Sequence, residues 1–324
     1  MTSGVTTQSL KLAVKDMLNR QDLVEILSNL LGVLPTQFEQ IARTSPLRYK
    51  VFTIPKRDGS LRTVAQPARE VKAIQRWLVN DLSDILPIHS AATAYQKGMS
   101  IKINANRHLG SSFLLKMDFK NFFPSIEFKD LCIHLQKYAS GRYEHSAIEM
   151  ISRFCCWAPE RRPPLRLCIG APSSPLLSNS VLYDFDCFFE AMSIGDKISY
   201  TRYADDLTFS SNNPDILKNY PDIVRSYLSS LHNPSLEINE KKTIFASRAG
   251  LRMITGITLT ADHNLSVGRD RKRLARSMFH RFSLNRLNDK EVEKMFGLLA
   301  FIDHIEPGFS LNLKRQKIPP DKDN

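Results

Sequence analysis

Two adjacent carboxylates, Asp205 and Asp206, stand between two short runs rich in β-branched and aromatic residues. The runs 198–203 and 207–211 alternate partly between apolar and polar positions, a pattern that predicts the two strands of a hairpin. Like charges crowded at a hairpin tip repel each other unless a cation neutralises them. The pair therefore indicates either an ordinary exposed turn or part of a metal site.

A third carboxylate, Asp118, stands in a matching context upstream, at the end of the apolar run 112–118. If that run forms a strand beside the hairpin, three carboxylates converge at one sheet edge, where divalent metal would relieve their repulsion. Carboxylate oxygens favour Mg²⁺ or Mn²⁺ over zinc. Two such ions about 4 Å apart stabilise the attacking and leaving oxygens of an in-line phosphoryl displacement. Since the sequence has no Walker-type loop, the pattern predicts nucleotidyl transfer on a polynucleotide.

Composition favours a polyanionic partner. The 324 residues are enough for one large or two ordinary domains. Hydrophobic residues make up 42%, which predicts a compact core and not general disorder. Lys and Arg number 45 against 33 Asp and Glu, a formal charge of +12. A surplus of this size favours nucleic acid over the alternative partner, an anionic membrane.

The cysteines favour a reducing, cytoplasmic location. Their number is odd and they lack the paired spacing of metal ligands, so the sequence predicts neither a disulfide framework nor a zinc site. No run of about 18 apolar residues occurs, so no transmembrane span is expected. Lys11, Lys15 and Asp16 interrupt the apolar positions near the N-terminus, unlike a signal peptide. The five cysteines are Cys132, Cys155, Cys156, Cys168 and Cys187.

Helical and β periodicities predict an α+β fold in which helices pack on one face of a sheet. We expect the polar tail, 313–324, to be disordered. The predicted helices span 8–31, 36–43, 71–86, 128–157, 176–192 and 216–231, and the predicted strands are 112–118 and the hairpin 198–211.

A second predicted hairpin, 49–67, carries a basic tip at the Asp58-Gly59 turn. Its exposed cations would be Lys56, Arg57 and Arg62. They are suited to phosphate groups, and the alternative interpretation is solubilising charge on an ordinary hairpin.

A basic helix is predicted from residue 269 onward. One face could pack on the protein while the other lies along phosphates. The alternative is a solvated helix face. The cations are Arg269, Arg271, Lys272, Arg273, Arg276 and Arg281, and the apolar stripe between them is Leu274, Met278, Phe279 and Phe282.

Four ordered segments surround the three carboxylates. They are Asp118 with Phe122-Phe-Pro-Ser-Ile126, Gly170-Ala-Pro-Ser-Ser-Pro-Leu-Leu-Ser-Asn179, Tyr203-Ala-Asp-Asp206 and Leu236-Glu-Ile-Asn-Glu-Lys-Lys-Thr243. In order and spacing they resemble four successive motifs of reverse transcriptases. Asn104-Ala-Asn-Arg-His108 and Ile254-Thr-Gly256 resemble the NAxxH and Val-Thr-Gly elements of the bacterial retron branch. The resemblance spans roughly residues 48 to 310.

This resemblance implies an RNA-directed DNA polymerase with fingers, palm and thumb in a right-hand arrangement and an antiparallel palm sheet. Asp118 and Asp205 would be the principal ligands of two Mg²⁺ ions, with Mn²⁺ as a possible substitute. Asp206 would belong to the same cluster, and Phe119 would contribute its backbone carbonyl. The implied ranges are 1–47 for an N-terminal helical segment, 48–112 for the fingers, 113–250 for the palm and 251–312 for an RNA-binding thumb.

The resemblance also implies a site for the incoming deoxynucleotide. Lys56 and Arg62 would hold the triphosphate, although Arg57 could take the lysine role. Phe123 would stack under the sugar and exclude a 2′-hydroxyl, the alternative being core packing beside Phe122.

Two further positions of the implied nucleotide site concern the backbone and the leaving group. The backbone at Gly170 would pass along the nucleotide, and Lys242 would help to protonate pyrophosphate, the alternative being a surface salt bridge. Ile169 replaces the Gln of many reverse transcriptases and cannot form a side-chain hydrogen bond. We therefore expect weaker sugar discrimination or fidelity, and not inactivity.

The retron resemblance implies that a structured noncoding RNA, msr-msd, serves as template and primer. Synthesis would start from the 2′-hydroxyl of an internal guanosine and give branched RNA-DNA, called msDNA. It also implies phage defence together with an effector protein, without a membrane partner. The implied RNA-binding residues are Asn104, His108, Thr255, Arg269, Arg271, Lys272, Arg273 and Arg276.

Two alternatives stay open at this point. One is another bacterial reverse transcriptase branch, intron-type or diversity-generating, although no maturase or endonuclease extension is expected after residue 312. The other is a non-catalytic RNA-binding scaffold for an effector, against which the complete set of carboxylates argues, since a buried charge cluster is costly to retain.

Overall fold

The computed structural model describes residues 17–56 and 59–315, apart from the side chain of Lys314. In this part of the chain the helices are α1 Arg20–Leu31, α2 Pro35–Thr44, α3 Arg69–Leu82, α4 Ile101–Asn106, α5 Phe128–Ala139, α6 His145–Cys155, α7 Ser174–Val181, α8 Tyr183–Gly195, α9 Pro214–Ser230, α10 Arg269–Ser283, α11 Asp289–Ile305 and α12 Phe309–Arg315. Short 3₁₀ helices span Ser45–Leu47, Phe123–Ser125, Pro159–Arg161 and Glu240–Lys242. The strands are β1 Tyr49–Pro55, β2 Leu61–Pro67, β3 Phe113–Asp118, β4 Ser199–Tyr203, β5 Asp206–Ser211, β6 Ile244–Ser247, β7 Met253–Ile254, β8 Ile257–Leu259 and β9 Leu265–Ser266.

The chain forms two compact units, each assembled from three separate segments. The first unit contains the described residues of 1–89, together with 120–185 and 227–237. The second contains 90–119, 186–226 and the described residues from 238 onward. The ranges expected for fingers and palm are thus each divided between the units, because strand pairing joins distant segments.

The second unit contains an antiparallel sheet with the strand order β4-β5-β3-β6. The inner strands are buried, with Leu115, Met117, Leu207 and Phe209 at 0% exposure. A slip of one residue would turn these side chains to the opposite face, so their burial fixes the register. In this register β3 lies beside β5, which confirms the predicted neighbourhood of strand and hairpin.

A three-stranded sheet, β7-β8-β9, packs with α4, α10 and α11 in the same unit. Ile254 and Ile257 form a core with Met295 and Ile302, all four fully buried. Helix α10 contributes Ala275 and Met278 from one face, while most of its charged side chains are exposed or half-buried. The expected basic helix is therefore present with one face packed, but Leu274 and Phe282 of the predicted apolar stripe are exposed.

The first unit contains the β1-β2 hairpin and a helical core. Leu23 and Leu27 of α1 are fully buried, and Phe38 of α2 packs on Phe154 of α6 with ring centroids 5.7 Å apart. The predicted pair of N-terminal helices is therefore present. Five free cysteines occur in the described residues.

Several predicted boundaries were wrong. The predicted helix 176–192 is divided at Leu182 into α7 and α8, and the predicted helix 71–86 ends at Leu82. Helix α1 begins at Arg20, because Asn19 caps it by accepting from the backbone amides of the first turn; residues 8–16 of the predicted helix lie outside the described residues. The predicted helix 128–157 is two helices, because Arg142 and Tyr143 in the connection both bond to Asp81. Helix α12 extends to Arg315, past the expected start of the tail at 313; residues 316–324 lie outside the described residues.

None of the described helices combines the length and the apolar character needed to cross a bilayer.

Candidate active site

Asp118 and Asp206 lie directly opposite each other at one end of the sheet in the second unit. Asp118 is the last residue of β3, and its register partner is Asp206, the first residue of β5. Asp118 is 5% exposed. A carboxylate so far out of water is costly unless other groups compensate its charge.

The hairpin tip brings the third carboxylate to the same place. Tyr203 pairs with Asp206, which leaves Ala204 and Asp205 as a two-residue connection. The amide of Phe119 donates to the carbonyl oxygen of Asp205 at 3.0 Å. Ala204 has φ +57°, a left-handed conformation that costs a residue with a Cβ roughly 1–2 kcal/mol. The tip is therefore strained, and contacts with neighbouring residues must stabilise this backbone conformation.

The electrostatics show that the three carboxylates act on one another. Burial, followed by the charges of Asp118 and Asp206, raises the pKa of Asp205 to about 6. Burial also raises the pKa of Asp206, with Asp118 adding to the shift and Lys116 opposing it. A carboxylate with a raised pKa gains from a cation, since the cation favours the ionised form.

A positive side chain already contacts this cluster. The ammonium of Lys242 donates to both carboxylate oxygens of Asp118, at 2.9 and 2.8 Å. Asn239 adds its backbone amide, which donates to the carbonyl oxygen of Asp118 at 2.7 Å. Sequence analysis missed Asn239, although it stands in the same motif as Lys242. The Lys242 side chain is 57% exposed, so it can move away without breaking core packing.

The donor set fits a hard divalent cation. Asp118, Asp205 and Asp206 offer oxygen atoms, the ligands that Mg²⁺ and Mn²⁺ prefer. Among the described residues, no three His, Cys, Asp or Glu side chains stand close enough together to hold a metal ion without rearrangement. Lys242 contacts both oxygens of Asp118, so a cation bound to Asp118 would have to replace that ammonium.

The residues expected to bind a nucleotide lie in the first unit. Lys56 and Arg62 are exposed on the β1-β2 hairpin, where Arg62 is the register partner of Ile54. Arg57 and Asp58 lie outside the described residues. Phe123 is half-buried, with its ring centroid 5.4 Å from that of Phe122. Phe123 is thus partly exposed, in contrast to the buried Phe122.

Gly170 is required where it stands. Its φ is +111°, and a Cβ there would lie 3.0 Å from both the Ala65 carbonyl oxygen and Cγ1 of Val64. The adjacent carbonyl of Ile169 accepts a hydrogen bond from the amide of Ala65 at 2.9 Å. This segment therefore runs against β2 through backbone contact, which explains why an apolar side chain at Ile169 is compatible with the fold.

Comparison with known proteins agrees with this geometry. The family model described as "Reverse transcriptase (RNA-dependent DNA polymerase)" matches residues 54–275. The retron Ec83 reverse transcriptase of Escherichia coli is 38% identical, over 86% of this chain and 90% of its own length. The retron Ec73 reverse transcriptase of the same species is 32% identical, over 84% of this chain and 88% of its own. The chain belongs to the retron family of reverse transcriptases.

More distant matches are also found. The retron Mx65 reverse transcriptase of Myxococcus xanthus is 30% identical, over 92% of this chain and 71% of its own length. Among solved structures, the telomerase of Candida albicans in complex with a fragment of telomeric RNA matches with 15% identity and a TM-score of 0.49, over 82% of this chain and 56% of its own.

The NAxxH element of this retron reverse transcriptase lies in the interior of the second unit, which contradicts the direct RNA contact expected of it. Asn104 and His108 are both 0% exposed. His108 contacts the Ser210 hydroxyl through Nδ1 at 2.8 Å and the Thr201 hydroxyl through Nε2 at 2.7 Å. It therefore joins β4 to β5 within the hairpin. A lone motif in the sequence cannot distinguish such a buried role from a binding role.

The expected RNA-binding cations of the retron enzyme divide into two groups. Arg271 donates to the Gly256 carbonyl oxygen at 2.7 Å, and Lys272 pairs with Glu306 at 2.5 Å. These two side chains serve the packing of the second unit. Arg269, Arg273 and Arg276 are exposed, with Arg276 lying over the Phe309 ring at 5.5 Å. Thr255, in the turn before β8, has φ +47° and a buried hydroxyl without a hydrogen-bond partner among the described residues.

His108 should make the stability of the retron enzyme depend on pH. Burial, with a smaller contribution from the Arg107 charge, lowers the pKa of His108 to about 3. Because the unfolded state binds the proton more tightly, the stabilisation is complete above about pH 6.5 and is lost as pH falls. Between pH 7 and 5 the His108 contribution to the free energy of unfolding should fall by about 2 kcal/mol, as measured by urea titration.

Substitutions separate the contribution of His108 from that of His134. Burial lowers the pKa of His134 to about 4. H108Q should remove about half of the His-dependent fall in the free energy of unfolding between pH 7 and 5, and H134Q should remove the other half. H145Q, at a 71% exposed side chain, should leave the fall unchanged. An H108Q enzyme with the full pH dependence would show that His108 is not the titrating group.

Lys242 should compete with divalent metal for Asp118. K242M removes the ammonium that lies 2.8 Å from a carboxylate oxygen of Asp118. Loss of about 1 kcal/mol of repulsion between this ammonium and Mn²⁺ should make Mn²⁺ bind at least about fivefold more tightly. Electron paramagnetic resonance of free Mn²⁺ measures this affinity. K241M is the matched control, since Lys241 is exposed and one residue away. Equal or weaker binding by K242M would contradict the competition.

Proposed function

We propose that this retron reverse transcriptase copies a structured noncoding RNA, msr-msd, into branched RNA-DNA. The RNA would serve as template and primer, and synthesis would begin at the 2′-hydroxyl of an internal guanosine. Membership of the retron family supports this reading. The observation that carries the chemistry is the convergence of Asp118, Asp205 and Asp206 at one end of a buried sheet.

In the proposed mechanism these carboxylates hold Mg²⁺, with Mn²⁺ as a substitute. Two bound ions would stabilise the attacking and leaving oxygens of an in-line displacement. Asp118 would exchange its contact with Lys242 for the metal, with the Phe119 carbonyl as a further ligand. The freed ammonium of Lys242 would then stand beside the leaving pyrophosphate, where it could donate a proton.

Four residues are proposed to contact the deoxynucleotide: Lys56, Arg62, Phe123 and Gly170. Lys56 and Arg62, both exposed, would bind the triphosphate through charge-assisted hydrogen bonds. The partly exposed ring of Phe123 would stack under the sugar and exclude a 2′-hydroxyl, and the backbone at Gly170 would pass along the nucleotide. With Ile169 in place of a Gln, discrimination at the sugar would depend more heavily on Phe123.

The thumb, residues 251–312, would bind the cognate RNA through the exposed face of α10. Arg269, Arg273 and Arg276 present their charges there. Side chains cannot read the bases in the deep, narrow major groove of A-form RNA, so such contacts would fall on phosphates and on unstacked loop bases. Thr255, at the turn that Arg271 holds through Gly256, would lie at the edge of this surface.

The RNA-DNA product would act in phage defence together with an effector protein encoded nearby. This part of the proposal rests on retron membership. The flanking genomic DNA is the direct test, since it should contain a noncoding RNA gene with inverted repeats and a gene for the effector. Absence of both would remove the defence proposal but not the polymerase proposal.

The metal ligands provide the first test of function. D205N combined with D206N should reduce primer extension on an RNA template by more than about a thousandfold, because loss of a ligand exceeds the 10–100-fold cost of losing an outer hydrogen-bond partner. RNA binding, measured by fluorescence anisotropy, should persist.

The matched control is D215N with D222N on α9 in the same unit. It removes the same charge from surface ion pairs, which contribute little to stability, so activity should be retained. Full activity in the D205N and D206N variant would exclude the metal-ligand roles. Loss of RNA binding there would show that the carboxylates serve the fold and would favour the scaffold alternative.

The salt dependence of RNA binding tests the thumb surface. R269Q, R273Q and R276Q together should lower the slope of log K against log salt by about 2, since each phosphate contact on a single strand contributes roughly 0.7. The control variant is K129Q with K137Q and K218Q, which removes equal charge from exposed lysines elsewhere. An unchanged slope in the arginine variant, or an equal change in the control, would exclude α10 as the RNA-binding surface.

A further inference from the structure

A buried ion pair lies beneath the catalytic hairpin of the second unit. Arg202 of β4 and Asp186 of α8 are both 0% exposed. Nε of Arg202 donates to Oδ1 of Asp186 at 2.9 Å, and Nη2 donates to Oδ2 at 2.6 Å. The Tyr200 hydroxyl donates to the same Oδ1 at 2.8 Å. The guanidinium is thus held by two parallel hydrogen bonds, a geometry specific to Arg.

The same guanidinium reaches the hairpin tip. Its Nη1 donates to the carbonyl oxygen of Ala204 at 3.1 Å. Ala204 is the residue with φ +57°, immediately before Asp205. A strained backbone of this kind persists only where several contacts with the surrounding residues fix its conformation. Arg202 supplies such a constraint at the strained residue itself.

The backbone of Arg202 is also fixed. Its amide donates to the Ala91 carbonyl oxygen at 2.8 Å, and its carbonyl accepts from the Thr93 amide at 2.8 Å. The guanidinium therefore projects from an anchored point of the strand and is locked by Asp186 at its other end. Fold stability alone does not explain this arrangement, because a buried ion pair can often be replaced by apolar residues without loss.

We propose that Arg202 is a positioning residue for catalysis, which holds the Ala204 carbonyl and thereby aims the carboxylates of Asp205 and Asp206 toward Asp118. Asp186 is the counter-ion that orients the guanidinium. This inference rests on the proposed metal-ligand roles of Asp205 and Asp206. Neither Arg202 nor Asp186 contacts substrate in the proposal.

The test is R202K in the full chain. Lys keeps the charge and can still pair with Asp186, but a single ammonium cannot also hold the Ala204 carbonyl in the fork geometry of Arg. We expect kcat to fall 10–100-fold, the cost typical of losing an outer partner of a metal ligand. KM for the deoxynucleotide should stay within about twofold, and the Mn²⁺ dissociation constant, measured by electron paramagnetic resonance, should rise by about tenfold.

Two control variants separate positioning from general damage to the core. R252K alters another buried Arg of the same unit, 1% exposed, which donates to the Ser111 and Thr260 carbonyls. Y200F removes the hydrogen bond to Asp186 and the Tyr200 contact with Arg202, but it keeps the guanidinium that donates to the Ala204 carbonyl. Both should lower the melting temperature while keeping Mn²⁺ affinity near that of the parent. If either weakens Mn²⁺ binding as much as R202K does, the positioning role is overturned.

A rescue variant covers the case in which R202K folds poorly. Glycine adopts a positive φ without strain, so A204G combined with R202K should recover at least about fivefold in Mn²⁺ affinity over R202K alone. No recovery would overturn the proposal. If R202K changes nothing while D205N with D206N abolishes activity, only the role of Arg202 fails; if the Asp variant is also active, the metal site itself is refuted.

Discussion

The crowding of negative charge at one end of a buried sheet is the constraint on which the rest of the structure depends. The register that buries Leu115, Met117, Leu207 and Phe209 also sets Asp118 opposite Asp206, so the core and the acidic cluster cannot be separated. A shift of one residue would turn the apolar side chains away from the core. The raised pKa of Asp205, caused first by burial and then by the neighbouring charges, expresses the cost of this register.

Several elements of the second unit compensate that cost. Lys242 neutralises Asp118 from the solvent side, while His108 and Arg202 secure the hairpin from the protein side. His108 can do so because its ring is neutral and contacts both strands. Arg202 can do so because Asp186 satisfies the charge that burial would otherwise penalise. On the solvent side the carboxylates are thus contacted by an exposed lysine, whereas the two side chains that contact the hairpin from the protein side are buried.

The sequence predicted the parts of this site that depend on local pattern. Strand and helix periodicities, the two-residue turn and the motif spacing identified β3, the hairpin and the three carboxylates. Burial and long-range partners could not be derived in this way. His108 was expected at the RNA because a motif does not reveal which side of a helix faces the core. The Arg202 to Asp186 pair joins a strand to a helix, and an Arg inside an otherwise uncharged strand was the one available signal. The break between α5 and α6 depends on Asp81, which is about sixty residues away in the chain.

Helix α10 carries its positive charges in two rows with different partners. The inner row, Arg271 and Lys272, is bonded to Gly256 and Glu306 and helps to hold the C-terminal core. The outer row, Arg269, Arg273 and Arg276, is exposed. Substitutions in the outer row therefore leave the inner contacts in place. Such a division would let substitutions change the charge of the outer surface without disturbing the contacts that hold the fold.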